Sequence, residues 1–164
     1  MRMKRFFPML LGFILSFPVQ AADVLNVKLM TLDLARDIAN HTLETCRKQG
    51  YQVAVVVVDR AAVPQVVLRD VYVARSATEI AERKANAAIL SGVSSGEFRK
   101  NRSDIRAELN EISGVILIAG ALPIRAGGSL IGAVGVSGAP GSEMDEACAA
   151  AGLKAVQERL DFAE

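Results

Sequence analysis

Folding choices are narrowed most by the C-terminal stretch Gly120 to Gly138. Pro123, Ile124 and Arg125 close an extended segment, Gly127-Gly128 turns the chain, and Leu130 to Val136 runs back. Two glycines between apolar runs signal a β-hairpin, because glycine supplies the positive φ that primed turns require. Gly132, Gly135 and Gly138 then recur at a spacing of three in the returning strand. Glycine weakens a strand, so its repetition points to close approach by another backbone or by a flat ligand. A helix follows, with Ser142 expected as N-cap and acids in its first turn. Its Ala149-Ala150-Ala151-Gly152 run is small enough to pack tightly against a sheet.

The remaining elements follow from spacing. Thr31 (N-cap) and Gly50 (stop) bracket a helix whose Leu32, Ala35, Ile38, Leu43 and Cys46 share one face. Tyr51 to Asp59 is valine-rich and reads as a buried strand, and Val66 to Leu68 as a second. The Arg60-Ala61-Ala62-Val63 link between them is poor turn chemistry. Ala74 to Leu90 predicts an alanine-rich helix stopped by Gly92, Ser94 to Glu111 short helices or an ordered loop, and Val115 to Ile118 a third strand. Strands joined by short turns pair antiparallel, since parallel pairing needs long crossovers. Helices gathered on a face of such a sheet give an α+β, two-layer domain.

Residues 1–21 stand apart. Arg2, Lys4 and Arg5 precede an apolar run from Phe6 to Phe17 and a small-residue site at Val19-Gln20-Ala21, the architecture of a secretory signal peptide. The run falls short of the ~20 residues a spanning helix needs. The expectation is therefore a cleaved leader, a single domain over 22–164, a periplasmic or secreted location, and no membrane span after cleavage. Removing the leader takes away three basic residues and no acids, leaving 16 Lys+Arg of 19 against 18 Asp+Glu. A slightly acidic chain without tryptophan has no electrostatic footprint for nucleic acid. Cys46 and Cys148 both remain, and an oxidising compartment permits either a bridge or two small core residues.

The segments Leu122-Pro-Ile, Gly127-Gly128, Leu130 to Gly138 (LIGAVGVSG) and Asp145 to Leu153 (DEACAAAGL) resemble the GlcG/HbpS-like haem-binding family, a resemblance that reaches upstream to Leu32. It implies a five-stranded antiparallel sheet of the profilin/PAS-like kind, haem as ligand with iron as a further one, a homo-oligomer, and a role in haem sequestration, sensing (with a sensor protein as partner) or degradation. High alanine and glycine content with 51% apolar composition is compatible with burial between subunits. The chain departs from the family pattern at Ala61-Ala62-Val63, where glycine is usual, at Val71-Tyr72, where Gly-Ala follows the aspartate, and at Ser94-Ser95, where Pro-Thr is frequent.

Three sets of residues are candidate ligand groups. His41, the single histidine, lies one turn from Ile38 and suits a haem ligand. It equally suits a boundary histidine satisfied by solvent. Glu79 and Glu82, three apart on one helix face, can converge on ferric iron, and the resemblance supports this because an E-x-x-E pair before Lys-Ala recurs in the family. An ion-pair ladder with Arg75 and Arg83 would explain the same pattern. Arg69 and Lys84 could clamp haem propionates or another carboxylate, or be ordinary surface charges. Gly132-x-x-Gly135-x-x-Gly138 is not a phosphate loop, although the helix start near Ser142 could take an anion. One histidine and no C-x-x-C leave no hydrolytic triad beyond His41 and no metal motif. A small-carboxylate binding or accessory module is the alternative to haem binding, and an enzyme acting on haem or a peroxide a third reading.

Overall fold

The computed structural model describes residue 23 and residues 25–163; the leader expected at 1–21 lies outside the described residues. Helix α1 spans Leu32–Lys48, with the Thr31 hydroxyl accepting from the Leu34 N–H as its N-cap. Gly50, at φ 83°, carries the chain out of it. Strands β1 (Ala54–Asp59) and β2 (Pro64–Arg69) follow as a hairpin. Its unpromising loop is held by Asp59, whose Oδ1 accepts from the N–H groups of Ala61 (2.8 Å) and Val63 (3.0 Å). Ala62 consequently sits at φ 63°, a left-handed conformation that L-residues avoid.

Helix α2 covers Arg75–Ser91 and stops at Gly92, φ 70°. A layer of short pieces follows: α3 (Ser95–Asn101), a 3₁₀ turn (Ser103–Ile105) and α4 (Arg106–Asn110). Strands β3 (Ala121–Ala126) and β4 (Ser129–Ser137) are joined by Gly127-Gly128 at φ 53° and 80°. Positive φ at both turn residues is the signature of the hairpin the sequence announced. Helix α5 runs Ser142–Ala155 and α6 Gln157–Asp161. Gly141, rather than Ser142, is the N-cap of α5; the Ser142 hydroxyl turns outward to Glu143 at 3.3 Å.

Among the described residues the sheet has four antiparallel strands in the order β2-β1-β4-β3, not five. The third strand expected at Val115 to Ile118 is not a strand: the segment is partly buried but does not join the sheet. Its donors are used elsewhere: the Ile116 N–H reaches the Arg83 carbonyl of α2 (3.3 Å) and the Leu117 N–H reaches Asn110 Oδ1 (2.8 Å). Pro64 and Pro123 both lie on edge strands, where a missing N–H breaks no ladder.

There are also three layers instead of two. Val53, Val55, Val57, Val134 and Val136 pack with Ile38, Cys46, Cys148 and Ala149 of α1 and α5. On the opposite face Val56, Val58 and Ala133 pack with Ala81, Ala85 and Ala88 of α2. A strand covered on both faces loses polar alternation, which is why Ala54 to Val58 is an unbroken apolar run. The glycine period reflects close backbones: a Cβ at Gly135 would overlap the Ala81 carbonyl of α2, while at Gly132 and Gly138 it would meet the carbonyls of Val58 in β1 and of Gln52 just before it. The close approach is therefore by backbone, a helix at Gly135 and the β1 segment at the other two. On the other face Cys46 and Cys148 form a disulfide, Cα atoms 5.5 Å apart, tying α1 to α5. Nearby, a Cβ at Gly152 would collide with Thr42 of α1. No helix among the described residues is long and apolar enough to cross a membrane.

Candidate functional site

An open cleft of about 790 Å³ lies between the α3–α4 layer and α5. Tertiary anchors, not helix propensity, hold that layer. Phe98 and Leu109 pack on Ala87, Val115 and Leu117. Ser94 caps α3 by accepting from the Glu97 N–H at 3.1 Å, and the buried Ser95 hydroxyl accepts from the Ala121 N–H at 3.0 Å. The start of α3 is thereby fixed to the start of β3. Gly96 permits the approach to α5, since a Cβ there would stand 2.8 Å from Glu146 Oε2 and 3.1 Å from Ala119 Cβ.

The cleft has three kinds of lining. Ala119, Leu122, Ala147 and Ala150 are apolar, Arg99, Lys100 and Arg106 supply cations from α3 and α4, and Glu143 and Glu146 supply carboxylates from α5. None of the ion pairs among the described residues uses those three cations. Glu146 is anchored at its inner end, with Oε2 accepting from the Gly120 N–H at 3.1 Å. Gly120 adopts φ 125° and is packed so closely that a Cβ would sit 2.7 Å from Lys84 Nζ.

Lys84 explains the stiffness of this corner. It is 2% exposed, and its ammonium donates to Asp145 Oδ2 (2.8 Å) and to the Val136 carbonyl (3.0 Å). Asp145 Oδ1 in turn accepts from the Ala139 N–H at 3.0 Å. Burial pushes the Asp145 carboxyl above its ordinary value of 3.8, while the hydrogen bond and charge of Lys84 pull it back. One lysine thus joins α2, the end of β4 and the first turn of α5.

The residues singled out from the sequence are not brought together, and none lines the cleft. His41 is exposed on α1, its carbonyl accepting from the Thr45 hydroxyl. Lys84 is internal, its ammonium already engaged. Arg69 is exposed and donates to the carbonyls of Asp70 and Val73, pinning the turn that leads into α2. Glu79 is exposed and Glu82 half-buried on α2, and neither is in an ion pair among the described residues. Arg83 instead donates to the Val115 carbonyl at 3.0 Å, so the expected ladder does not form. No cluster of three or more His, Cys, Asp or Glu suited to a metal occurs among the described residues. Arg99, Lys100, Arg106 and Glu146 escaped the sequence reading. The one signal for the three cations is the basic run Arg99 to Arg106, interrupted by Ile105 and flanked by Phe98 and Leu109; Glu146 has none.

Comparison with known proteins places these features among relatives. Residues 30–154 match the family model described as haem degrading protein HbpS-like. A crystal structure of HbpS superposes with a TM-score of 0.77 at 31% identity, over 85% of this chain and 99% of that one. A Streptomyces reticuli HbpS double mutant, with two glutamates three residues apart replaced by aspartate, matches at 31% identity, TM-score 0.77, over 86% and 97% of the two chains. A haem complex of PduOC shares the fold at 19% identity, TM-score 0.69, over 78% and 95%. The search of curated proteins gives no match.

Proposed function

The chain belongs to the HbpS-like family of haem-degrading proteins, and from that premise we propose that it binds haem in the cleft between α3–α4 and α5. The family match over residues 30–154 carries this reading. The haem bound by PduOC, a protein of the same fold, supports it. The cleft's chemistry also fits the group. Small apolar side chains suit a flat macrocycle, three cations without ion-pair partners among the described residues suit two propionates, and about 790 Å³ lies within the ~300–1,000 Å³ of ligand pockets. Arg99, Lys100 and Arg106 would hold the carboxylates, with Leu122, Ala147 and Ala150 against the ring. Haem bound there would supply an iron centre for redox chemistry or for sensing.

Hemin titration of the 22–164 protein, followed by absorption, tests the assignment. A saturable Soret shift is expected, and the Arg99→Ala/Lys100→Ala/Arg106→Ala triple variant should weaken it at least ~10-fold, at about 1.4 kcal/mol per tenfold. A shift untouched by the triple variant but lost in His41→Ala would move the site to α1. No shift, with a small dicarboxylate bound instead, would favour the carboxylate-binding module.

Three finer readings belong with this one. We propose that residues 1–21 direct export, which mass spectrometry of the secreted chain would check. Glu79 and Glu82 are proposed as an iron-binding pair. The three-residue spacing shared with the glutamates replaced in the HbpS mutant supports this, and ferric titration of Glu79→Gln/Glu82→Gln tests it. Exposed apolar residues such as Val67, Val71 and Tyr72 support a homo-oligomer. A monomer by light scattering at micromolar concentration would overturn that.

A further inference from the structure

We propose that the cleft holds an open-chain, metal-free tetrapyrrole dicarboxylate more tightly than it holds haem. This rests on the cleft being the haem site. Its lining suits iron poorly, with three carboxylates and none of the side chains that usually ligate a haem iron. The same lining suits a ligand that carries both anions and N–H donors. A linear tetrapyrrole is such a ligand. It is a haem skeleton with one bridge cut and the iron gone, and it keeps both propionates. Lactam and pyrrole N–H groups stand where the ring nitrogens held the metal.

The walls of the cleft divide those two tasks. Glu143, Glu146, Ala147 and Ala150 lie at i, i+3, i+4 and i+7 on α5, so one helix face carries acceptors beside small apolar groups. Arg99, Lys100 and Arg106 stand on the α3–α4 side, outside every ion pair among the described residues. Acids and bases therefore line one cleft without neutralising each other, and both sets are left to a ligand. Cations take the propionates. Ionised carboxylates only accept hydrogen bonds, and an N–H donated to one is stronger than a neutral pair.

Glu146 is the best placed of the acceptors. Glu97 and Glu143 are exposed, with local contacts to Asn101 (3.5 Å) and Ser142 (3.3 Å). Glu146 is half-buried, and its Oε2 accepts from the Gly120 N–H at 3.1 Å. That bond sets the carboxylate and leaves Oε1 without a partner among the described residues. The turn that carries it is restrained as well. Asp145, one residue before, is bonded to Lys84, and Cys148, two residues after, is cross-linked to Cys46. Little ordering entropy is left to lose when a ligand binds there. Binding itself makes and breaks no covalent bond.

Parallel titrations with biliverdin and hemin, followed by absorption, test this. Biliverdin should bind at least ~10-fold more tightly than hemin, the worth of one hydrogen bond to a charged group. Arg99→Ala/Lys100→Ala/Arg106→Ala should weaken both ligands, since both carry propionates. Glu146→Ala should weaken biliverdin about 10-fold and leave hemin within about 3-fold of wild type. Glu146→Gln, which keeps an oxygen acceptor, should recover part of that loss. Hemin bound as tightly as biliverdin or more so, or Glu146→Ala weakening both ligands alike, overturns the inference and leaves haem binding standing. Biliverdin affinity untouched by the triple variant also overturns it. Biliverdin bound without hemin keeps the tetrapyrrole site and discards the haem reading. Saturable binding of neither ligand overturns both.

Discussion

Lys84 and Asp145 form an ion pair with side chains only 2% and 4% exposed, so each depends on the other for the solvation it has lost. Removing one leaves a buried charge uncompensated. Lys84→Met or Asp145→Ala should each lower the unfolding free energy by about 3–5 kcal/mol in urea titration, whereas Lys84→Met/Asp145→Leu should recover most of that. A double variant no more stable than the singles would place the effect in the bonds to Val136 and Ala139 rather than in charge. The pH dependence has a definite sign. Asp145 has a folded pKa above 3.8, so its contribution to stability grows as pH falls through that folded value and is complete below 3.8. Asp37 behaves oppositely: its hydrogen bond from Arg159 lowers its pKa, so its contribution is present above 3.8 and lost as pH falls through the lower folded value. Asp37→Asn should therefore be less stable than wild type at neutral pH, with the gap closing as urea titrations are moved below pH 3.8.

Glycines decide how closely the elements approach. Gly135 lets α2 lie directly on β4, and Gly135→Ala would force backbone to move, at a cost of about 1–3 kcal/mol by thermal or urea unfolding. Gly96 in α3 is different, because the atoms a Cβ would meet include the flexible end of Glu146. Gly96→Ala should leave stability within about 1 kcal/mol of wild type, since alanine also favours the helix. It should nonetheless displace the carboxylate and weaken biliverdin binding, measured by the same titration. Unchanged affinity would mean that Glu146 adjusts freely and that its place in the cleft is not set by α3. The hairpin β3–β4 was legible because Gly127-Gly128 is a local signal. The fate of Val115 to Ile118 was not, because whether an extended apolar segment joins a sheet depends on which donors Arg83 and Asn110 have already claimed.

At the scale of the molecule, the disulfide closes a loop of 102 residues and joins two helices of one outer layer. Cross-linking a loop of about that length restricts the unfolded chain by ~4.7 kcal/mol in the entropic account. Cys46→Ser/Cys148→Ser should accordingly be destabilised by several kcal/mol in urea, with the midpoint of oxidised wild type falling towards it on reduction. The family, the antiparallel sheet, the helix positions and the Gly-Gly hairpin followed from the chain itself, because periodicity, caps and turn residues act over a few neighbours. The third layer, the four-strand count, the disulfide and the cleft came only with the tertiary structure. Lys84 was a surface clamp by sequence and is an internal strut in the fold, since burial depends on Asp145, 61 residues away. The cleft residues Arg99, Lys100, Arg106 and Glu146 come from α3, α4 and α5, which meet through long-range packing that no local pattern encodes.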